Sequence, residues 1–239
     1  MKKLFWKKLE LVLFLIIEII FISSLTGIKT IAQEVTISEM IKKEDYETLK
    51  VDFIIPVIQG LKNQEIEKKI NQIILNNILD FKTKIEKDLK EYYSKTTSKE
   101  GKIQKYIAEV NYKIHYQSNE LLSLSVFYYG YTGGAHGFTI QETYNFDLLK
   151  GERITLMSIL KGNRAYLELI NQEIKRQILL DRDSYFKDAI SHSINEEQPF
   201  YIVEDGIVIY FGLYEIAPYS SGIRYFKIPF SFIFNSCSK

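Results

Sequence analysis

A single cysteine, Cys237, stands in the whole chain, so no intramolecular disulfide can close and no cysteine-rich metal site can form. Histidine is nearly as scarce. His115, His136 and His192 lie too far apart for the HxH or HxxxH spacings that hold a metal, and no metal or cofactor is expected. No GxSxG elbow is present and the lone thiol is two residues from the end, so nucleophilic acyl transfer is not expected either. Charge of one sign is also missing. The 31 basic and 30 acidic residues are evenly mixed, which excludes the basic footprint of a nucleic-acid-binding protein.

What the chain has in quantity is aromatic and aliphatic side chains, with 17 Tyr, 15 Phe and 46% hydrophobic residues, enough to build a core without crosslinks. One apolar run stands apart. Lys2, Lys3, Lys7 and Lys8 precede a stretch from Leu11 to Leu25, and Thr30-Ile31-Ala32 supplies the small residues of a cleavage site, the pattern of a signal peptide. Glu18 near the middle of the run is a costly residue for a membrane span, but Leu4 to Ile31 is long enough for an uncleaved anchor. Residues 1–32 are therefore read as a signal peptide or N-terminal membrane anchor, with the rest extracytoplasmic, secreted or anchored. They hold five lysines and two glutamates, so the remainder carries 26 basic and 28 acidic residues, a net of −2.

Residues 33–47 are polar and lack a clear period, which predicts a linker before a domain at 48–239. Thr48 to Val57 reads as a strand, with Pro56 placing it at a sheet edge or a strand end. Ile66, Ile70, Ile73, Ile74, Ile78, Phe81, Ile85, Leu89 and Tyr92 recur at three and four residues, the signature of a long amphipathic helix. Tyr106 to Tyr116, Leu121 to Tyr131 and Phe138 to Asp147 then predict a three-stranded meander, with Tyr106, Ala108, Val110, Tyr112, Ile114 and Tyr116 on one face and His115 on the polar phase. Leu167, Ile170, Ile174 and Ile178 mark a second helix starting near Asn163, with a shorter one at Ser184 to Ser191. Asp205-Gly206 between FYIV and IVIYF signals a hairpin. The order of elements predicts an α+β domain, an antiparallel sheet packed with two main amphipathic helices.

Two loops are candidate binding sites. Tyr131, Thr132, Gly133, Gly134 and His136 lie in a glycine-rich connection whose freedom to take positive φ suits a tight strand-to-strand turn, or amides presented to an anion or a partner's main chain. It is no P-loop, because a strand follows it and no GKS or GKT ends it. The loop from Gly212 to Gly222, with Tyr214, Glu215, Tyr219 and Ser220, is longer than a hairpin requires, and such loops are often functional. Its tyrosines either pack over the sheet end or offer the amphipathic contact area enriched in interfaces. Paired carboxylates of a wall-polymer hydrolase would come together in space rather than sequence, with Glu142 and Glu215 as loop-adjacent candidates. Solvated surface charge is the ordinary state of such residues.

Three segments, DFIIPVIQGLKNQEIEKKIN, YGYTGGAHGFT with YNFDLLKGERITLMSIL, and DGIVIYFGLYEIAPYSSGIRYFKIPF, resemble the extracytoplasmic domain family shared by the anti-sigma factor RsiV and the non-catalytic N-terminal part of the peptidoglycan deacetylase PdaC. The resemblance runs from Val51 to Phe230, and TGGAHG and YEIAPYSSG are its most specific motifs. It implies an α+β ectodomain without catalysis; in RsiV that domain binds lysozyme and so triggers the proteolysis that frees a sigma factor. The expected partner is a lysozyme-like protein or peptidoglycan, met by loops 131–137 and 212–222, with membrane contact only through the N-terminal segment. With ten residues ahead of Leu11 and none after Lys239, neither a sigma-factor partner nor a deacetylase domain is expected. A membrane-tethered envelope-stress signalling protein is the alternative.

Overall fold

A computed structural model describes residues 34–95 and 104–235; the apolar N-terminal segment, its Thr30-Ile31-Ala32 site and Cys237 lie outside the described residues. Strand β1 (Thr36–Asp45) opens the fold and pairs antiparallel with β2 (Leu49–Gln59), Thr36 opposite Gln59 and Asp45 opposite Lys50. This corrects the linker expected over 33–47. An outer strand with one neighbour keeps a polar composition, and charged side chains suit such an edge, so no clean period appears in its sequence. Lys82 of the following helix reaches Glu44 at 2.9 Å and ties the strand down.

Pro56 sits where its chemistry allows. β2 pairs parallel with β3 (Tyr106–Gln117) only from Leu49 to Phe53, so beyond that point one side of β2 has no strand beside it. There the Ile58 N–H donates to Asn71 Oδ1 and Asn71 Nδ2 donates to the Ile58 carbonyl, both at 2.8 Å, so one helix side chain replaces a missing ladder. That helix, α1 (Gln64–Lys95), is the crossover that a parallel pair requires. Asn63 caps its start, accepting from the Glu65 and Ile66 amides, and Ile70, Ile74, Ile78, Phe81 and Ile85 form its buried stripe.

The meander follows as expected, β3 to β4 (Leu121–Tyr131) to β5 (Phe138–Asp147), and a two-residue β6 (Glu152–Arg153) completes a sheet ordered β1-β2-β3-β4-β5-β6. The strand period is interrupted by a bulge between Ile114 and Tyr116: Ile114 still pairs with Leu124 on the Val110 face, at the strand's exposed end, whereas Tyr116 comes opposite Ser123 and leaves the face expected for it. Side chains of β4 and β5 alternate between two partners. Leu122, Leu124, Val126, Tyr144 and Phe146 join the α1 stripe in one core. Ser123, Ser125, Gln141, Thr143 and Asn145 face the other way and are buried too.

The cover over that polar face is a second antiparallel sheet, β7 (Phe200–Val203), β8 (Gly206–Phe211) and β9 (Arg224–Pro229), in sequential order. The single antiparallel sheet expected from sequence is therefore two sheets, and the larger is mixed. Phe200, Ile202, Ile207, Ile209, Phe211, Phe226 and Ile228 line the far side of the small sheet, where they form a second core with α2 (Leu156–Ile159), α3 (Ala165–Leu180) and α4 (Phe230–Asn235). The short helix expected at Ser184 to Ser191 is two 3-10 turns, Arg182–Ser184 and Ala189–Ser191. Among the described residues no helix is long and apolar enough to cross a membrane.

The seam between the sheets is held by hydrogen bonds. Ser123 Oγ donates to Asn145 Oδ1 at 2.7 Å and accepts from the Ile202 N–H at 2.9 Å, while Asn145 Nδ2 donates to the Phe200 carbonyl at 2.9 Å. Further along β5, Tyr210 OH donates to the Gln141 carbonyl at 3.2 Å and Tyr225 OH to Gln141 Oε1 at 2.7 Å. These directional contacts fix how β7 and β8 sit across the large sheet, and with them the loops at its edge.

Candidate functional site

The glycine-rich connection after β4 closes on itself. Gly133 and Gly134 take φ of +94° and +106°, which side chains rarely tolerate, and Tyr131 OH donates to the Gly134 carbonyl at 3.0 Å. Gly137 is needed for a different reason, because a Cβ there would lie 2.6 Å from the Gly130 carbonyl oxygen. The loop after β8 is pinned by Glu215, whose Oε2 accepts from the Gly212 N–H at 2.7 Å, and by buried Ile216 and Ala217. Tyr214 holds a positive φ of 64° and is 57% exposed. A non-glycine residue there is uncommon, and strain of this kind is concentrated at binding and switch sites.

The two loops meet. Tyr219 OH donates to the Gly137 carbonyl at 2.9 Å, the His136 and Tyr219 rings stack with centroids 4.1 Å apart, and Tyr214 packs against Tyr219 at 5.6 Å. Between them lies a cleft of about 440 Å³, lined in part by His136, Phe138, Ile140, Tyr214, Glu215 and Tyr219. The other sequence candidates lie apart from it. Tyr131, Thr132, Gly133 and Gly134 form the loop tip, with Gly133 against the Gln104 side chain, and Ser220 is exposed on a 3-10 turn.

A second cleft, about 320 Å³, runs past Thr143, Asn145, Arg153 and Glu197, and it shares Gln141, Pro199 and Tyr210 with the first. Sequence reasoning missed it. Its floor is the polar phase of β5, which reads as a solvent face until the small sheet is placed over it. Glu142 accepts from Asn77 Nδ2 at 2.9 Å, lies 3.6 Å from Arg153 Nη1 and faces this cleft, whereas Glu215 faces the other. The two carboxylates considered for hydrolysis therefore do not line one cavity. Tyr210, beneath both clefts, is pushed up to about 12 by burial, so it remains a neutral hydrogen-bond donor.

His115 lies on the polar phase of β3, as expected, but that phase is covered by the small sheet: its ring stacks on Tyr201 at 3.6 Å and its Nε2 lies 2.8 Å from Ser125 Oγ. Burial, with Lys113's charge second, brings it down to about 4. Among the described residues two serines, Ser158 and Ser184, stand at SxxK spacing with Lys161 and Lys187, which qualifies the expectation against nucleophilic acyl transfer. Ser158 Oγ donates to the Thr155 carbonyl at 2.7 Å and Ser184 Oγ to Asp181 at 2.9 Å, so neither is directed at its lysine. Among the described residues no three His, Cys, Asp or Glu side chains converge as a metal site.

Comparison with known proteins places these features. A family model described as Deacetylase PdaC matches residues 42–139, and one described as Protein of unknown function (DUF3298) matches residues 158–231. The anti-sigma-V factor RsiV of Bacillus subtilis is 30% identical over 229 residues, covering 89% of this chain and 73% of RsiV. The chain belongs to the RsiV/PdaC-like domain family. The peptidoglycan-N-acetylmuramic acid deacetylase PdaC of the same organism is 26% identical over 162 residues, which cover 65% of this chain but 32% of PdaC, so the chain spans about a third of that relative's length. Two solved DUF3298 proteins share the fold. One from Bacteroides fragilis has a TM-score of 0.65 at 18% identity, covering 84% of this chain and 92% of that one; one from Pseudomonas aeruginosa has 0.57 at 16%, covering 83% and 90%. In this RsiV/PdaC-like chain the first matched segment supplies His136 and Phe138 of the loop cleft, and the second supplies Tyr214, Glu215 and Tyr219.

Proposed function

We propose that this RsiV/PdaC-like domain is an exported, non-catalytic binding module for a lysozyme-like hydrolase, contacted at the cleft between loops 131–137 and 212–222. The observation that carries the reading is the aromatic cluster at its mouth. Tyr219 is held by its hydroxyl and by the stacked His136 ring, and Tyr214 projects 57% exposed from a strained backbone position. Such rings lose little conformational freedom on binding and supply large amphipathic contact area, the property that makes tyrosine an interface anchor. Kinship with RsiV over most of the chain supports a protein partner. The Leu11 to Leu25 segment supplies the export route, as a signal peptide or as an anchor holding the domain outside the membrane.

The reading predicts that the purified chain is retained on immobilised lysozyme and released by free lysozyme. Retention on insoluble wall material alone, with none on lysozyme, would replace the hydrolase by peptidoglycan as the partner. Retention on neither would remove the binding reading for both.

A further inference from the structure

Strand β5 has an outer edge that its own sheet does not complete. β6 pairs with it only at Phe146 and Asp147, and the Ile154 N–H bonds the Asn145 carbonyl at 2.7 Å. Main-chain groups alternate along a strand, so if Asn145 faces outward then Thr143, Gln141 and Thr139 do as well. Side-chain contacts agree, because the Thr143 carbonyl accepts from Arg153 Nη2 at 2.5 Å and the Gln141 carbonyl from Tyr210 OH at 3.2 Å. Each carbonyl keeps a second lone pair, and among the described residues the amides of Thr139, Gln141 and Thr143 have no acceptor.

Arg153 and Tyr210 occupy two carbonyls of this edge, but its outward amides have no comparable cover. β1, at the opposite side, carries Glu39, Lys42, Lys43 and Glu44, charges that discourage strand addition. β5 instead borders both clefts, with Thr139, Ile140 and Gln141 along the larger and Gln141, Thr143 and Asn145 along the smaller, and Pro199 and Tyr210 opposite both. Volumes of about 440 and 320 Å³ fall within the ~300–1,000 Å³ range of ligand sites. The charges beside the groove are unbalanced. Glu142 lies near Arg153 and Glu196 pairs with Arg164, but Glu197 and Glu215 have no cationic partner among the described residues.

We infer that the groove receives an extended polypeptide segment bearing basic side chains, which adds a strand to the Thr139–Thr143 edge of β5. The amides of Thr139, Gln141 and Thr143 donate to the segment's carbonyls, and its basic side chains reach Glu197 and Glu215. Main-chain pairing supplies affinity and the two clefts select alternate side chains, as in other strand-addition complexes. The inference rests on the loop cleft being a binding surface and adds the conformation and charge of what enters it.

The test uses the isotope-labelled full chain and a blocked heptapeptide of alternating valine and threonine with a lysine at each end. Saturable binding should slow amide exchange at Thr139, Gln141 and Thr143 by about tenfold or more. N-methylating the peptide amides that face β5, or replacing both lysines by glutamates, should each weaken binding about tenfold. Thr139→Pro, which removes an outward N–H without touching the β4 ladder, should weaken it similarly while the β4 amide resonances stay in place. No saturable binding, unchanged exchange at the three amides, or indifference to N-methylation would each overturn the inference. Lysozyme that binds without protecting these amides would sink the strand addition and leave the binding module standing; peptide addition without lysozyme binding would do the reverse.

Discussion

Asn145→Ala is expected to lower stability by about 2–5 kcal/mol, read as a fall in urea midpoint at unchanged slope. Asn145 is 4% exposed and Ser123 fully buried, so water cannot replace what the amide supplies. Its removal strips the Phe200 carbonyl of a donor and the Ser123 hydroxyl of its acceptor, two polar groups in the seam between the sheets. A buried group left unsatisfied costs about 1–3 kcal/mol, and the lost side chain leaves a void in addition. Ser123→Ala removes members of the same network, so the double variant should lose less than the two single losses combined. Ser220→Ala, on the exposed loop, should stay within about 0.5 kcal/mol of the parent. A midpoint for Asn145→Ala equal to the parent's would mean that packing alone joins the sheets.

His115 should make the domain acid-sensitive. Its folded value of about 4 lies below the ordinary 6.5, so between those values the unfolded chain binds more protons and stability rises with pH. The contribution is therefore complete above about pH 6.5 and is lost as pH falls toward 4, to a size of about 2–3 kcal/mol. Carboxylates also titrate in acid, so the informative quantity is a difference. His115→Gln keeps a polar group for Ser125 and cannot gain the charge, and its stability should fall less than the parent's between pH 7 and pH 4. Parallel curves for the two proteins would show that the imidazole stays hydrated when protonated.

Both results bear on how much could be read from the chain. The α1 stripe and the β3-β4-β5 meander are legible because their periods persist over several turns or strand pairs, and the Asp205-Gly206 hairpin because its turn chemistry is specific. β1 is not legible, since a strand paired on one side and solvated on the other needs no apolar alternation. The second sheet hides for a related reason. Ser123, Ser125, Gln141, Thr143 and Asn145 have the composition of a solvent face, and only a partner sheet carrying Tyr201, Tyr210 and Tyr225 makes that face internal. The covering of His115 has the same cause, since its polar strand phase faces Ser125 and only Tyr201 of the small sheet covers it.

The candidate loops show the same division. Glycine content distinguishes 131–137 and length distinguishes 212–222, both local properties. The stacking of His136 on Tyr219 arises only when the two sheets are assembled, and it divides the first loop into a tip remote from the cleft and a base that forms its wall. The second cleft has no local marker, because Arg153 and Glu197 are ordinary charged residues in sequence.

The measurement closest to the central claim is a titration of the full chain with lysozyme, repeated for Tyr214→Ala and Tyr219→Ala. The account predicts saturable binding by the parent and losses of about tenfold or more in both variants, with circular dichroism and urea midpoints showing that each remains folded. Parent binding that both variants reproduce at full affinity would contradict it and move the contact surface away from these loops.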